Sequence, residues 1–187
     1  ADSRQLAAAS PHSDVNGTSS GQVRMYFFSG GAWTRSDIEF HGEKSGDNFG
    51  YSVSLSVHAT RLAVGAPNND GNGEDSGHVR VFEFQDRASD DGRRLSAGAW
   101  IQLGDDIDGE APGDNSGFSV SLSADGSRLA IGAPYNDGNG SRSGHVRVYE
   151  FWSNSWIQLG ADIDGEVAGD NSGFSVSLSA GGAGLAV

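Results

Sequence analysis

Apolar and polar side chains alternate from Gly117 to Ser123, where a phenylalanine, a valine and a leucine are interleaved with serines. This period of two predicts a half-buried β-strand. Asp125-Gly126 then predicts a hairpin turn. Arg128 to Ala133 (RLAIGA) is a short apolar run ended by Pro134, which is typical of a strand buried on both faces.

Two further strands are predicted downstream. His145 to Phe151 (HVRVYEF) alternates in a similar way, and Trp156 to Ile163 is predicted to form a fourth strand. A loop rich in Asn, Asp and Gly separates the second strand from the third. Because no apolar stripe with a period of 3.6 residues is found, we expect a helix content near zero.

The same pattern recurs along the chain. Trp100 to Ser123 returns almost unchanged from Trp156 to Ser179, 56 residues later, and a weaker copy precedes it at an offset of 67 residues. The longer offset comes from 11 additional residues around Gln85 to Ser96, which are polar and charged and predict a long surface loop. A fixed period of this length indicates a repeat architecture.

Four strands in each 56-residue period correspond to one propeller blade. The predicted fold is therefore all-β, with β-propeller blades of four antiparallel strands in about three tandem repeats that form part of a larger propeller. The approximate units are 5–60, 61–127 and 128–183, and 184–187 starts a further unit. A plain β-sandwich is the alternative, but it has no reason to repeat its sequence. Closed propellers have about four to eight blades, so we expect these 187 residues to be a fragment of a longer repeat protein.

Charge and composition narrow the range of partners. The formal net charge is −13 and the 12 basic residues are scattered, which argues against a nucleic-acid partner. The absence of cysteine excludes disulfides and cysteine-based zinc sites. No stretch approaches the roughly 18 apolar residues needed to span a bilayer, so direct membrane insertion is not expected.

A two-part signature accompanies the strands. Phe49-Gly50 and Gly65-Ala66-Pro67 form its two halves, and the second half recurs at Gly132-Ala133-Pro134. The chain thus resembles FG-GAP repeats, the blades of the integrin α-subunit propeller, and is similar to tandem repeats in large surface proteins of marine microbes and algae. The resemblance implies an extracellular or cell-surface protein that is not an enzyme.

The sequence departs from that family in two places. The later copies read Gly117-Phe118 and Gly173-Phe174 instead of Phe-Gly. The family's calcium loop is replaced by the short hairpin Ser123 to Ser127. Calcium at that hairpin is therefore not expected.

Carboxylates cluster elsewhere in the repeat. Alternating carboxylates in a Gly-containing loop can supply the several oxygen ligands that calcium requires. The alternative is that these side chains cap turns. The calcium candidates are Asp106, Asp108, Glu110 and Asp114, with their copies Asp162, Asp164, Glu166 and Asp170. The first unit holds Glu39, His41, Glu43 and Asp47 at these positions.

A second loop, Asp70 to Gly73, recurs as Asp137 to Gly140. We predict a tight turn, because Gly and Asn readily adopt positive φ angles. The motifs Asn16-Gly17-Thr18 and Asn139-Gly140-Ser141 also match the N-glycosylation sequon. They predict glycosylation of Asn16 and Asn139 if the protein is eukaryotic and secreted.

His78 and His145 recur at one position, each followed by Val-Arg-Val, and Gln22 takes that position in the first unit. An active site is normally built once from unlike residues, whereas these side chains recur in successive units. We therefore predict a repeated packing or hydrogen-bonding role rather than catalysis.

One tryptophan position also recurs, and we predict that it anchors the blade core between neighbouring sheets. The residues at this position are Trp33, Trp100 and Trp156. A fourth tryptophan, Trp152, is interpreted as a larger version of the apolar residue at Phe28 and Phe84.

Two functions fit these observations. The first is a non-catalytic extracellular binding or adhesion module for a protein or glycan ligand, with the loop Gln85 to Ser96 as the expected place of contact. The alternative is a structural subunit of an extracellular filament, sheath or surface layer, whose partners are other subunits. The sequence suggests no cofactor other than calcium.

Overall fold

A computed structural model describes residues 4–85 and 98–187. These residues form strands, turns and loops but no helix, as the sequence predicts. Of the predicted loop from Gln85 to Ser96, only Gln85 is among them, as the last residue of a strand, so the loop itself lies outside the described residues. Within the described ranges there is no helix with the length and apolar character needed to cross a membrane.

The strands follow one another in a repeating order. They are β1 (Arg4–Ser10), β2 (Gln22–Ser29), β3 (Ala32–His41), β4 (Ser52–Leu55), β5 (Arg61–Ala66), β6 (His78–Gln85), β7 (Ala99–Gln102), β8 (Ile107–Asp108), β9 (Ser119–Leu122), β10 (Arg128–Ala133), β11 (His145–Trp152), β12 (Ser155–Gln158), β13 (Ile163–Asp164), β14 (Ser177–Leu178) and β15 (Leu185–Ala186).

Antiparallel pairing joins these strands into four sheets. The first sheet has the order β1-β2-β3. The second has the order β4-β5-β6-β7, with β8 also paired to β6, and the third repeats it as β9-β10-β11-β12, with β13 paired to β11. Strands β14 and β15 form the fourth sheet. The second and third sheets are therefore equivalent blades with four strand positions, of which the fourth is divided into β7 and β8 in one and into β12 and β13 in the other.

Three of the four strands predicted for one repeat unit match the structure closely. The segment from Arg128 to Ala133 is β10 as predicted, and β9 and β11 differ from the prediction by one or two residues at their ends. The single strand predicted from Trp156 to Ile163 is wrong. It is divided into β12 and β13, because Gly160 adopts a φ of 77° between them and interrupts the pairing with β11.

One hydrophobic cluster lies between the first and second sheets, and another lies between the second and third. Between the first and second sheets, Met25 and Phe40 from one side pack with Leu62 and Val64 from the other. We call this contact the first interface, and the contact between the second and third sheets the second interface. The second cluster draws on both of its sheets in the same way, through Val79, Val81, Leu129 and Ile131 among others. The sheets are thus stacked face to face as blades of a β-propeller.

Serine hydroxyls connect the first strands of neighbouring blades. Ser54 in β4 accepts a hydrogen bond from the backbone N–H of Leu122 in β9, at 2.9 Å. Ser121 in β9 accepts the corresponding bond from Leu178 in β14, at 3.0 Å. The polar face of the alternating pattern therefore contacts the next blade.

Glycines bring the backbones of the second and third sheets into direct contact. Gly117 adopts a φ of 85° just before β9, and its carbonyl oxygen accepts a hydrogen bond from the Ser52 hydroxyl of the second sheet at 2.7 Å. A Cβ atom on Gly65 in β5 would overlap that same carbonyl oxygen. Gly132 and Gly173 repeat this contact between the third and fourth sheets.

Two of the three equivalent tryptophans lie between sheets, which confirms that part of the prediction. The Trp100 ring contacts Phe40 of the first sheet edge to face, with ring centroids 5.6 Å apart. The Trp156 indole N–H donates to the Leu103 carbonyl of the second sheet at 2.9 Å. Trp33 in the first sheet is 48% exposed.

The interpretation of Trp152 is wrong. The residue of the third sheet equivalent to Phe28 and Phe84 is Phe151, which packs against Trp156 with ring centroids 5.1 Å apart. Trp152 lies one residue further along β11, where its side chain points away from the core and is 70% exposed.

Candidate functional site at the blade interfaces

Each of two blade strands begins with a buried histidine. His78 is the first residue of β6 and His145 the first residue of β11, and each is 1% exposed. Arg80 and Arg147 follow two residues later and are also buried. Side chains two residues apart in a strand share a face, so each histidine lies beside an arginine on the face that meets the preceding blade.

At the first interface, His78 meets carboxylates from two sheets. Its Nδ1 lies 3.6 Å from Oδ2 of Asp106, which precedes β8 in the same sheet. Glu43 follows β3 of the first sheet, and its Oε1 lies 3.3 Å from Nη1 of Arg80. One potential ligand atom from each of Glu43, His78 and Asp106 lies within 4.8 Å of the others, a grouping that could hold a metal ion.

The second interface repeats this cluster with equivalent residues. Nδ1 of His145 lies 3.8 Å from Oδ2 of Asp162 and 3.9 Å from Oε2 of Glu110, which belongs to the second sheet. Nη1 of Arg147 lies 3.6 Å from the other oxygen of Glu110, Oε1. These ligand atoms of Glu110, His145 and Asp162 also lie within 4.8 Å of one another.

Hydrogen bonds fix the orientation of the aspartates, which accept from glutamine side chains, and of the arginines, which donate to backbone carbonyls. Gln102 donates to Oδ1 of Asp106 at 2.7 Å, and Gln158 donates to Oδ1 of Asp162 at 2.7 Å. The Nη2 atom of each arginine donates to a carbonyl oxygen across the interface, from Arg80 to His41 at 2.6 Å and from Arg147 to Asp108 at 2.7 Å.

Burial controls the protonation of both histidines. It lowers the pKa of His78, and the nearby Asp106 carboxylate opposes this effect. It likewise lowers the pKa of His145, where the Arg147 guanidinium adds to the lowering and Asp162 opposes it. Both imidazoles are therefore neutral at neutral pH, which is the form that binds metals.

The structure divides the predicted carboxylate set between interfaces. Asp106 contacts His78 at the first interface, whereas Glu110, only four residues later, contacts His145 at the second. Asp162 completes the second cluster. Three of the eight predicted residues thus lie in the clusters, although not as one continuous loop. Calcium at the predicted set stays a prediction.

Asp114 and Asp170 cap turns. Oδ2 of Asp114 accepts hydrogen bonds from the Ala111 backbone N–H at 3.0 Å and from the Asn136 side chain at 2.9 Å. Oδ2 of Asp170 accepts from the Val167 N–H at 2.8 Å. These contacts agree with the alternative reading of the carboxylates as turn caps.

The other three predicted carboxylates lie outside both clusters. Asp108 and Asp164 are the second residues of β8 and β13, opposite His78 and His145 in the strand pairs. The Glu166 carbonyl accepts a hydrogen bond from the Asn139 side chain at 3.0 Å.

The hairpin at Ser123 to Ser127 does not fit a calcium loop. Oδ1 of Asp125 accepts hydrogen bonds from the Ser123 hydroxyl at 2.6 Å and from the Ser127 N–H at 2.9 Å. These bonds lower the pKa of Asp125 to about 2. The only carboxylate of the turn is therefore used to close the turn.

The sequon asparagines sit in the predicted turns. The Asn139 amide nitrogen donates to the carbonyls of Gly165 and Glu166, at 2.9 and 3.0 Å, and that of Asn16 donates to Gly42 at 2.9 Å. Glycosylation at Asn16 and Asn139 stays a prediction. A glycan on either nitrogen would compete with these hydrogen bonds.

Sequence reasoning missed the metal-ligand potential of His78, His145 and Glu43. It treated the histidines as packing residues and Glu43 as a degenerate copy of Glu110. The available signal was that the histidine and both carboxylates recur together in successive units.

A row of aromatic side chains, exposed at both ends and half-buried at Phe118, runs across successive blades. Tyr51, Phe118 and Phe174 each follow the equivalent glycine just before β4, β9 and β14. Their ring centroids are 4.8 Å apart between Tyr51 and Phe118 and 4.7 Å apart between Phe118 and Phe174. Tyr51 is 44% and Phe174 59% exposed. We call these three residues the aromatic row.

Comparison with known proteins identifies the repeats. The family model described as FG-GAP repeat matches residues 41–82 and 107–149. Among solved structures, the periplasmic gluconolactonase PpgL of Pseudomonas aeruginosa is similar, with a TM-score of 0.41 and 17% identity over 83% of this chain. The chain spans 36% of that protein's length. No curated protein sequence gives a significant match.

Proposed function

Because this chain is built of FG-GAP repeats in β-propeller blades, we propose that it is a non-catalytic binding or adhesion module of an extracellular or cell-surface protein. FG-GAP repeats commonly occur in extracellular proteins. We propose that the ligand is a protein or a glycan, with no nucleic acid and no direct membrane insertion.

The repetition of the polar clusters supports a non-catalytic role. Glu43, His78 and Asp106 recur as Glu110, His145 and Asp162 with closely similar contacts. A catalytic centre places unlike groups around one substrate, whereas a group that recurs at each interface serves the interface. The clusters therefore contribute to blade assembly in this proposal.

The aromatic row is the observation that carries the binding role. Exposed aromatic side chains offer a large, rigid apolar surface to a ligand, and they are enriched where proteins bind partners. One ring from each of three successive blades extends this surface along the propeller. The predicted loop at Gln85 to Ser96 remains a second place to test.

The experiment is to measure binding of the purified chain to a panel of immobilised glycans and extracellular matrix proteins. The double variant Tyr51→Ser/Phe174→Ser removes the two most exposed rings of the row, and we expect at least a tenfold loss of affinity. The matched control is Trp152→Ser, which removes an exposed aromatic residue outside the row and should bind like the unmodified chain.

Two results would contradict this proposal. Equal binding by the double variant would exclude the aromatic row as the contact surface, and a deletion within Gln85 to Ser96 would then be the next variant to test. Regular self-assembly of the purified chain, without binding to any member of the panel, would support the alternative of a structural subunit.

A further inference from the structure

We infer that Glu43–His78–Asp106 and Glu110–His145–Asp162 are two copies of a binding site for a divalent transition-metal ion such as Zn²⁺, which joins neighbouring blades. In each copy the glutamate comes from one sheet and the other two residues from the next. This inference concerns the interfaces and does not depend on the proposed ligand-binding role.

The spacing of the donor atoms suits such an ion. Zinc binds nitrogen and carboxylate oxygen at about 2.0–2.2 Å, so neighbouring ligand atoms in a tetrahedral site lie about 3.3–3.6 Å apart. Nδ1 of His78 lies 3.6 Å from Asp106, and Nδ1 of His145 lies 3.8 and 3.9 Å from its two carboxylates. The other ligand atoms of each group lie within 4.8 Å of one another, so the partly exposed carboxylates would have to move toward the ion by up to about 1.5 Å.

At the second interface, each carboxylate keeps one oxygen for the metal. Gln158 holds Oδ1 of Asp162 and leaves Oδ2 facing His145. Arg147 lies against Oε1 of Glu110 and leaves Oε2 facing the same imidazole. Metal ligands are typically oriented by hydrogen bonds of this kind to the atom that does not bind the metal.

The buried histidine is a second, independent indication of a ligand. His78 is 1% exposed, and its Nε2 has no hydrogen-bond partner among residues 4–85 and 98–187. Its Nδ1 is too far from Asp106 for a hydrogen bond. Among the described residues no hydrogen bond reaches the Nδ1 atom that faces the carboxylates, so a metal ion bound there would give the ring a partner on that side, while Nε2 would stay unpaired.

The donor set favours a transition metal over calcium. Calcium takes six to eight oxygen ligands, whereas each cluster offers one imidazole nitrogen and two carboxylates, and imidazole nitrogen is a preferred ligand of zinc and related ions. Glu43 and Glu110 have exposed side chains, so water can reach each cluster and take the remaining coordination position.

The test is a calorimetric titration of the untagged, metal-stripped chain with ZnCl₂. We expect two ions per chain. Because each ion binds only the folded state, the melting temperature should rise by about 5–10 °C per site at a hundredfold excess over the dissociation constant. CaCl₂ at the same concentration should produce no comparable shift, and Co²⁺ should produce a visible absorption band from a nitrogen-containing site.

Matched variants identify the ligands. His78→Gln/His145→Gln copies Gln22 of the first sheet, so the metal-free variant should melt within a few degrees of the unmodified chain but bind no Zn²⁺. Each single variant should bind one ion. His12→Gln/His58→Gln changes two exposed histidines and should still bind two.

Failure of the unmodified chain to bind Zn²⁺ would overturn the inference, as would Zn²⁺ binding by the double histidine variant. If that variant does not fold, Glu43→Gln/Glu110→Gln replaces side chains at the exposed edge of each cluster and decides the same question. Retention of both ions by the glutamine variant would also refute the site.

Discussion

The two blade interfaces follow one plan but are filled differently. At the first interface, Phe49 is fully buried and Arg80 lies over its ring, 4.4 Å from the centroid. Ser116 takes the place of Phe49 at the second interface. Ala9 faces Gly50 across the first interface. At the second interface Gly65 takes the place of Ala9, and it contacts the backbone of Gly117, the equivalent of Gly50.

Both interfaces contain a hydrophobic cluster, but the Phe49 ring at the first has no counterpart at the second, where the Gly65 and Gly117 backbones are in direct contact instead. The cluster of glutamate, histidine and aspartate is nevertheless present at both. Its geometry is therefore not a by-product of one particular packing arrangement, which supports a role of its own.

The largest effect is expected from Phe49→Ser, which gives the first interface the residue of the second. The loss of a fully buried ring should lower the free energy of unfolding by about 3–5 kcal/mol, because a cavity remains beside Arg80. Urea denaturation measures this change. The same substitution at the exposed Phe174 is the control and should have little effect on stability. A small loss from Phe49→Ser would mean that the two interfaces are interchangeable.

A smaller loss is expected from Gly65→Ala, which gives the second interface the residue of the first. The new methyl group would overlap the Gly117 carbonyl, so the blades must separate slightly, at a cost of about 1–3 kcal/mol. Thermal and urea unfolding measure the difference. Gly181→Ala is the control, because a Cβ there has no heavy atom within 4 Å. If both variants are equally stable, the backbone contact is looser than described.

The smallest loss of stability is expected from a substitution in the hairpin turn beside the second interface, Asp125→Asn. At the second interface, Arg61 donates to the Gly126 carbonyl at 3.0 Å, in the turn that Asp125 closes. At the first interface, His58 holds the place of Asp125. Asp125→Asn should lower the free energy of unfolding at pH 7 by less than about 1 kcal/mol, because the turn is exposed.

The pH dependence of this loss has a definite sign. The pKa of Asp125 is lowered to about 2, below the value of about 3.9 expected in an unfolded chain. Its stabilising contribution is therefore present above about pH 4 and is lost as the pH falls toward 2. The difference between Asp125→Asn and the unmodified chain should shrink over that range, as measured by urea denaturation. His58→Asn should show no such convergence, and a difference that grows with acidity would contradict the assignment.

Local pattern was sufficient to predict most strands of the fold. The strand from Arg128 to Ala133 was predictable because an apolar run bounded by a turn and a proline is a local signal. The break between β12 and β13 was missed, because the left-handed conformation of Gly160 shows only in the backbone. Trp152 was misinterpreted because an alignment shifted by one residue moves a strand side chain to the opposite face.

The candidate site was only partly predictable, because it joins residues that are distant in sequence. Asp106 and Glu110 are close neighbours along the chain, so they suggest one loop, yet they serve opposite interfaces. The true partners Glu110 and His145 are 35 residues apart, and only the stacking of the sheets brings them together. The glutamate, histidine and aspartate recur together in the sequence, but only the stacking of the sheets shows that they form one cluster.

The serine-to-backbone bonds between β4, β9 and β14 bear on how the number of blades can change during evolution. Each of these bonds spans only adjacent sheets, so the array behaves as a one-dimensional series of nearest-neighbour terms. Duplicating or removing one repeat by recombination would create a single new junction and leave the serine-to-backbone bonds of the other blades between the same partners. Such a chain can change its length in one genetic event without a new core having to evolve.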